Sequence, residues 1–64
     1  MIRVLVADDH PIVRGGIVGL LGAAEDIEVV GEAADGAAAV RLATQLRPDL
    51  VLMDLRMQIG RAHV

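Results

Sequence analysis

Three aspartates stand at the ends of two apolar runs in this sequence. Asp8 and Asp9 follow the run Ile2–Ala7, and Asp54 closes the run at residues 49–54. A short apolar run without polar alternation is typical of a strand buried on both faces of a parallel sheet. Ligands of open parallel sheets bind beyond the carboxyl ends of the strands. The sequence therefore predicts a ligand site built by these three carboxylates.

Carboxylates in this arrangement can do two kinds of chemistry. Mg²⁺ prefers oxygen ligands and keeps several waters, so carboxylates at adjacent strand ends supply part of its coordination shell. A carboxylate can also attack phosphorus to form an aspartyl phosphate, while a metal neutralises the charge that develops. Without a cation, two carboxylates about 4 Å apart repel by roughly 4 kcal/mol at an effective dielectric of about 20. The cluster thus predicts a Mg²⁺ site at which Asp54 accepts a phosphoryl group.

A purely structural interpretation of the same residues is open at this point. Asp8 can begin a loop while Asp9 caps a helix that Pro11 opens. Asp54 alone, at the end of a strand, is also typical of a turn. The joint pattern favours a site, because both acidic ends fall on the same side of the inferred sheet.

The first half of the chain contains a strand and a helix that position Asp8 and Asp9. Ile2–Ala7 is predicted to be the first strand, and Pro11 suits the first position of a helix. The apolar residues at helical spacing are Val13, Ile17, Leu20, Leu21 and Ala24. Three glycines weaken this helix by about 1 kcal/mol each relative to alanine. Either they allow close packing against the sheet, or the helix is simply a poor one.

The second half of the chain repeats this order and leads to Asp54. Ile27–Ala33 is predicted to be a strand nearer a sheet edge, because its alternation is partial. Asp35 is expected to cap a helix over residues 37–46, and Pro48 ends it. The apolar face of that helix consists of Ala39, Leu42, Ala43 and Leu46. Residues 49–54 then form a third strand, and helices between apolar strands imply parallel pairing with right-handed crossovers.

The composition excludes several classes of protein. The chain has 64 residues, no cysteine and no aromatic residue, so it is one small domain or part of one, without disulfides or thiolate metal sites. A net charge of −3 gives no footprint for nucleic acid. The sequence shows no signal peptide, and no apolar stretch approaches the roughly 20 residues of a membrane span. The expected compartment is the cytoplasm, without membrane contact.

The sequence resembles the receiver domain of bacterial two-component response regulators, above all the NarL/FixJ type, whose receiver precedes a LuxR-type helix-turn-helix. The resemblance is carried by IRVLVADDHP at residues 2–11, VVGEAADG at 29–36 and RPDLVLMDLRM at 47–57. The resemblance as a whole covers residues 1–57 almost continuously. The resemblance implies a truncated flavodoxin-like (CheY-like) doubly wound parallel sheet, reduced to β-α-β-α-β with strand order 2-1-3.

The resemblance also implies roles for individual residues. Asp54 is expected to be the phosphoacceptor for a partner histidine kinase and a ligand of Mg²⁺. Asp9 should bind Mg²⁺ directly and Asp8 mainly through water, and the backbone carbonyl of Arg56 should complete the protein ligands. His10 is expected beside the pocket or at the surface, without binding the metal.

The resemblance further implies what the full-length protein does. Phosphorylation would change its output surface, its homodimerisation and its DNA binding, and so control transcription. DNA contact is expected only through a C-terminal helix-turn-helix domain that these 64 residues do not contain. As a phosphoryl acceptor, the module is not expected to be a turnover enzyme.

The chain departs from the family after Met57. Receiver domains have about twice this length, and the hydroxyl residue and the lysine that end their fourth and fifth strands are missing here. Residues 59–64 can be translated from a string that matches a common short-read sequencing adapter. We therefore expect residues 1–57 to be the N-terminal part of a receiver domain and 58–64 to be a non-native tail; a frameshift or a divergent tail is the alternative. The isolated chain is expected to be inactive, and poorly folded or self-associating through an open third strand.

An enzyme offers the competing interpretation. Magnesium-dependent phosphohydrolases of the haloacid-dehalogenase type also use an aspartate nucleophile at a strand end. They have Asp-x-Asp after the first strand, whereas here His10 stands two residues after Asp8 and Pro11 two after Asp9. The spacing therefore disfavours this alternative.

Overall fold

The computed structural model describes residues 1–54 of the chain. The elements, in chain order, are β1 (Ile2–Ala7), α1 (Pro11–Gly22), β2 (Ile27–Ala33), α2 (Gly36–Leu46) and β3 (Leu50–Met53). The strands form one parallel sheet in the order β2-β1-β3. The predicted fold, a truncated flavodoxin-like sheet, is confirmed. In the described part of the chain, neither helix is long and apolar enough to cross a membrane.

Both helices begin where local chemistry predicts. α1 starts at Pro11. Proline suits this first position because an N–H there would have no intrahelical partner, so its absence costs nothing. The side chain of Asp35 accepts a hydrogen bond from the N–H of Ala38 at 2.7 Å. This cap satisfies one of the orphan donors of the first turn, so α2 starts at Gly36, one residue before the predicted position.

The passage from α2 to β3 is fixed by contacts with β1. Arg47 ends α2 in the left-handed region, with φ 50° and ψ 60°, ahead of Pro48. The carbonyl of Arg47 accepts from Nη1 of Arg3 at 2.9 Å. The N–H of Arg3 donates to Oδ2 of Asp49 at 2.8 Å, and the N–H of Asp49 returns a bond to the carbonyl of Arg3 at 2.8 Å. These bonds set where β3 joins the sheet, and the strand itself begins one residue later than predicted.

The strand buried on both faces is β1, the middle strand of the sheet. Its side chains Val4, Leu5 and Val6 are at most 1% exposed. In contrast, Leu50 and Val51 of β3 are 48% and 37% exposed. The prediction that the third apolar run is buried on both faces is therefore wrong for this chain. Within the described part, β3 pairs only with β1 and is an edge strand, because no fourth strand lies beside it there.

α2 packs closely on the sheet through its predicted apolar face. Ala39 is buried, and the other three predicted positions of that face are half-buried. A Cβ placed on Gly31 of β2 would lie 2.8 Å from Cδ1 of Leu46 and 3.2 Å from Cδ1 of Leu5. Glycine at this position is what lets the end of α2 approach the sheet.

α1 packs less completely than predicted. Ile17 and Leu21 are half-buried, as its apolar spacing indicates, and Ala24, which was expected on the same face, is half-buried but follows the end of α1 at Gly22. Val13 and Leu20 share this helical spacing but are 49% and 78% exposed, so the expectation that all these residues form one packed apolar face is wrong. The apolar stripe of α1 is wider than the surface that the described sheet offers it, because the sheet has only three strands there.

The glycines of α1 do not mediate close packing in the described part of the chain. A Cβ added at Gly15, Gly16 or Gly19 would meet no other atom within 4 Å among those residues. Of the two explanations left open by the sequence, the weak helix is therefore the one that the structure favours. Substitution by alanine has room at all three positions.

Candidate functional site

The predicted site residues leave the sheet side by side. Ala7 and Met53 are paired in the parallel register of β1 and β3. The N–H of Asp54 donates to the carbonyl of Ala7 at 3.2 Å. Asp8 follows Ala7 directly, so the two acidic ends emerge at the same level. The expectation that they lie on one side of the sheet is confirmed.

Four side chains meet at this edge. Ligand atoms of Asp8, Asp9, His10 and Asp54 all lie within 4.8 Å of one another. Asp8 is buried, Asp54 is half-buried, and the other two are exposed. The structure thus brings together every predicted site residue that falls in its described part, in a cluster that is closed on one side and open to solvent on the other.

Asp8 is the most enclosed member of the cluster. The residue is 4% exposed, and its N–H donates to the carbonyl of Ala33 in β2 at 3.0 Å. Its Oδ1 accepts from the N–H of His10 at 2.8 Å, an Asx turn that carries the chain from β1 towards α1. A carboxylate buried to this degree requires a polar or cationic partner. A bound cation at the cluster would supply one.

Asp9 does not have the capping role that the structural interpretation gave it. The N-cap of α1 is His10, and no side chain in the described part of the chain caps this helix. Instead, Oδ1 of Asp9 lies 3.0 Å from Nδ1 of His10, and the Asp9 side chain is 51% exposed. The alternative in which Asp9 caps the helix is therefore wrong.

His10 lies inside the cluster and not merely near it. Its Nδ1 is 3.0 Å from Oδ1 of Asp9 and 3.8 Å from Oδ1 of Asp8, and its side chain is 64% exposed. The expectation that it does not bind a metal stays a prediction. The imidazole of His10, which the sequence had placed only beside the pocket or at the surface, therefore lies among the carboxylates of the site.

A cavity of about 420 Å³ adjoins the cluster between α1 and β3. Ile17 and Leu52 line it with apolar surface, and Asp8 and Asp54 contribute its carboxylates. The volume is many times the roughly 10–15 Å³ that a single water requires. The cavity therefore has room for a hydrated cation and a phosphoryl group beside Asp54.

Arg14 is a part of the site that the sequence interpretation missed. Its Nη1 donates to the carbonyl of Asp8 at 2.7 Å, and its Nε donates to Oε1 of Glu32 at 3.2 Å. Its side chain is 19% exposed. Side chains of a helix lean towards its N-terminus, so a long cationic residue in the first turn can reach the preceding loop. The signal that could have found it is its place in the first turn of the helix that follows an acidic pair.

The donor set suits a hard divalent cation. Three of the four side chains are carboxylates, which are the ligands that Mg²⁺ prefers, while the single imidazole alone would suit transition metals. The residues present therefore fit Mg²⁺. Arg56, whose carbonyl is the remaining predicted ligand, lies outside the described residues, as does the tail at 58–64.

Comparisons with known proteins give a consistent family. The family described as response regulator receiver domain matches residues 4–60. The transcriptional regulatory protein LiaR of Bacillus subtilis is 59% identical over 58 residues, which is 91% of this chain and 28% of LiaR. The matched family range runs three residues past the boundary predicted at 57, and the origin of the tail stays a prediction.

Solved structures agree with this result. The receiver domain of NarL from Mycobacterium tuberculosis is 50% identical with a TM-score of 0.85, covering 88% of this chain and 45% of that one. RcsB from Salmonella enterica serovar Typhimurium, bound to the promoter rprA with the phosphomimetic BeF₃⁻, is 35% identical with a TM-score of 0.86. That match covers 97% of this chain and 31% of RcsB. This chain thus spans less than a third of the length of the curated relative described above. These relatives are regulators and not turnover enzymes, and the matches give no support to the phosphohydrolase alternative.

Proposed function

The chain belongs to the response regulator receiver domain family, and from that premise we propose that Asp54 accepts a phosphoryl group from a sensor histidine kinase. Asp8 and Asp9, together with Asp54, hold Mg²⁺ beside it. In the full-length protein, the phosphorylated receiver controls transcription.

One observation carries this proposal. The ligand atoms of Asp8, Asp9 and Asp54 lie within 4.8 Å of one another at the carboxyl edge of the sheet. Such a cluster of like charges is unfavourable unless a cation compensates it. The bond from the Asp54 N–H to Ala7 keeps the acceptor at the level of the other two carboxylates.

The transfer itself is a simple exchange of bonds. A carboxylate oxygen of Asp54 attacks the phosphorus of a phosphohistidine, and a new O–P bond forms as the N–P bond breaks. The electron pair of the broken bond stays on the imidazole of the kinase, which then takes up a proton. A bound Mg²⁺ supplies neutralisation of the phosphoryl oxygens. The residues of this chain hold the Asp54 carboxylate in line with the breaking N–P bond and orient the metal ligands.

Two further residues complete the proposed site. The backbone carbonyl of Arg56 serves as a Mg²⁺ ligand, and its side chain takes no part. His10 lines the open side of the cluster, next to Asp9 and without binding the metal. Its 64% exposure leaves it accessible to water and to a partner.

The output of the protein lies beyond these residues. RcsB, similar in fold to this chain, has been seen on promoter DNA in the presence of a phosphomimetic. By analogy, we place DNA binding in a C-terminal helix-turn-helix domain of the longer protein, with homodimerisation as the step that phosphorylation alters. A regulator of this kind acts in the cytoplasm, where the chromosome is.

The test uses a small acyl phosphate, acetyl phosphate, as the donor and the full-length protein translated from the gene. We expect the intact mass to rise by one phosphoryl group in the presence of Mg²⁺ and to stay unchanged with a chelator. We also expect no continuous release of phosphate from a generic phosphate ester. Steady turnover of that ester with Mg²⁺ would instead indicate a phosphohydrolase and contradict the proposal.

A further inference from the structure

We propose that Arg14 is a positioning residue of the acidic site, because its guanidinium holds the peptide group that joins Asp8 to Asp9. The inference rests on the proposed function, since it concerns the same Mg²⁺ site. It adds a residue outside the metal ligands that sets how well those ligands are arranged.

Arg14 ties together three elements of the fold. It belongs to the first turn of α1, where its own N–H donates to the carbonyl of His10 at 2.8 Å. Its Nη1 reaches the carbonyl of Asp8 at the end of β1, at 2.7 Å. Its Nε reaches Glu32 in β2 at 3.2 Å. This one side chain therefore connects α1 to the end of β1, where Asp8 and Asp9 begin, and to β2.

The bond to Asp8 acts on the geometry of the metal ligands. The carbonyl of Asp8 belongs to the peptide group whose other side is the N–H of Asp9. Rotation of this peptide would swing the Asp9 carboxylate relative to that of Asp8. The N–H of Asp8 is already held by Ala33 at 3.0 Å. With its carbonyl held by Arg14, the backbone is anchored on both sides of the first carboxylate.

The environment of the guanidinium makes this anchor effective. The side chain of Arg14 is 19% exposed, so its bonds are partly shielded from water. Hydrogen bonds from a charged donor are shorter and stronger than neutral ones. Glu32 occupies the strand position paired with Val6, one residue before the end of β2. From there it orients the planar fork so that Nη1 points at the carbonyl of Asp8.

Removing the charge of Arg14 should change the Mg²⁺ affinity in opposite directions if Arg14 positions the ligands and if it acts by charge alone. A cation close to a Mg²⁺ site repels the metal, so its removal should tighten Mg²⁺ binding if charge alone mattered. If Arg14 positions the ligands, its removal should weaken binding. Partners of metal ligands typically change metal affinity by about 10-fold to 100-fold when removed. The sign of the change therefore separates the two effects.

The experiment measures Mg²⁺ alone by calorimetric titration of the full-length protein, at a temperature where circular dichroism shows each variant folded. Arg14→Met removes the donors and keeps the length of the side chain. Arg14→Lys keeps the charge but replaces the fork with a single donor group. Arg41→Met is the matched control, since Arg41 is an exposed arginine of α2.

We expect the Mg²⁺ dissociation constant to rise about 10-fold in Arg14→Met and by a smaller factor in Arg14→Lys, and to stay within about twofold in Arg41→Met. If Arg14→Met unfolds, the smaller rise expected in Arg14→Lys carries the test. Unchanged or tighter binding in the folded Arg14 variants overturns the inference, and so does an equal loss in Arg41→Met.

A second readout separates this inference from the proposed function. With acetyl phosphate as donor, the Mg²⁺ concentration for half-maximal phosphorylation should rise in Arg14→Met, while the rate at saturating Mg²⁺ recovers towards that of the unaltered protein. A merely structural role would lower the rate at every Mg²⁺ concentration, and that result overturns the inference alone. An unaltered protein that neither binds Mg²⁺ nor takes up phosphoryl overturns both.

Discussion

The N–H of Asp54 donates to the carbonyl of Ala7 at 3.2 Å, so the proposed phosphoacceptor is attached to the end of the buried central strand. Asp8 leaves that same strand one residue later, and its carboxylate lies in one cluster with that of Asp54. The most deeply buried strand in the described part of the fold therefore positions both carboxylates. We expect the two carboxylates to control Mg²⁺ affinity. We expect the packing of the helices and strands to control the stability of the domain.

Asp8→Asn should separate metal binding from folding. Asparagine retains an oxygen that can accept from the N–H of His10, now 2.8 Å from Oδ1 of Asp8, but it lacks the charge. We expect Mg²⁺ affinity to fall at least about 10-fold. In the absence of Mg²⁺, the free energy of unfolding should rise by about 1 kcal/mol, because carboxylate repulsion is relieved.

Calorimetric titration and urea unfolding of the full-length protein measure the two effects. Asp26→Asn is the control, since Asp26 is an exposed residue between α1 and β2, and it should change neither quantity. Unaltered Mg²⁺ affinity in Asp8→Asn would show that Asp8 is not part of the metal site.

Gly31→Ala should destabilise the domain. The added Cβ would lie 2.8 Å from Cδ1 of Leu46 and 3.2 Å from Cδ1 of Leu5. These contacts are too short, so α2 or the two leucines must shift, at a cost of about 1–3 kcal/mol in the free energy of unfolding. Gly19→Ala provides the opposite case, because its Cβ meets nothing within 4 Å among the described residues. It should stabilise α1 by about 0.5–1 kcal/mol. Urea denaturation followed by circular dichroism gives both values, and two changes of the same sign would contradict the packing described.

Arg47→Gly should stabilise the protein. Arg47 has φ 50°, a conformation that costs a residue with a Cβ about 1–2 kcal/mol. Glycine adopts this conformation freely, but it also gives the unfolded chain more freedom. The net increase in the free energy of unfolding should be about 0.5–1 kcal/mol. The carbonyl that accepts from Arg3 is retained. Arg41→Gly, inside α2, should instead lower the free energy of unfolding by about 1 kcal/mol. Thermal unfolding distinguishes them, and a loss of stability in Arg47→Gly would contradict this explanation.

The 64-residue chain by itself should self-associate through β3. Leu50 and Val51 are exposed there, and β3 has only β1 as a partner in the described part of the chain. Val51→Lys places a charge on this edge and should shift sedimentation towards monomer. Ile12→Lys adds the same charge at a residue of α1 that is 90% exposed, and should have less effect. If Ile12→Lys dissociates the assembly equally well, the helix and not the strand edge carries the contact.

The sequence predicted the elements and the site well where the signal was local. Apolar runs and the Asp35 cap located the strands and α2 to within one residue, because both depend on neighbouring residues. α1 ends at Gly22, two residues before the predicted last position, Ala24. The convergence of Asp8, Asp9 and Asp54 followed from parallel pairing alone. The cap role weighed for Asp9 was wrong because His10 takes the N-cap position, which the placement of Pro11 at the first helical position already implied.

The sequence failed where the answer depends on distant partners. The exposure of Val13 and Leu20 is set by how much sheet lies beneath α1, which helical spacing does not encode. The apolar run of β3 indicated burial on both faces for the same reason, whereas the order 2-1-3 correctly indicated an open edge in the described part of the chain. The contact from Arg14 to the carbonyl of Asp8 requires the reach of a long side chain across a turn, and apolar periodicity carries no information about it.

The identity of the phosphorylated residue tests the central claim most directly. The full-length protein, Asp54→Asn and the control Asp26→Asn would each be incubated with acetyl phosphate and Mg²⁺, and their intact masses compared. We expect the unaltered protein and Asp26→Asn to gain one phosphoryl group and Asp54→Asn to gain none, while remaining folded. Full phosphorylation of folded Asp54→Asn would contradict the assignment of Asp54 as the phosphoacceptor.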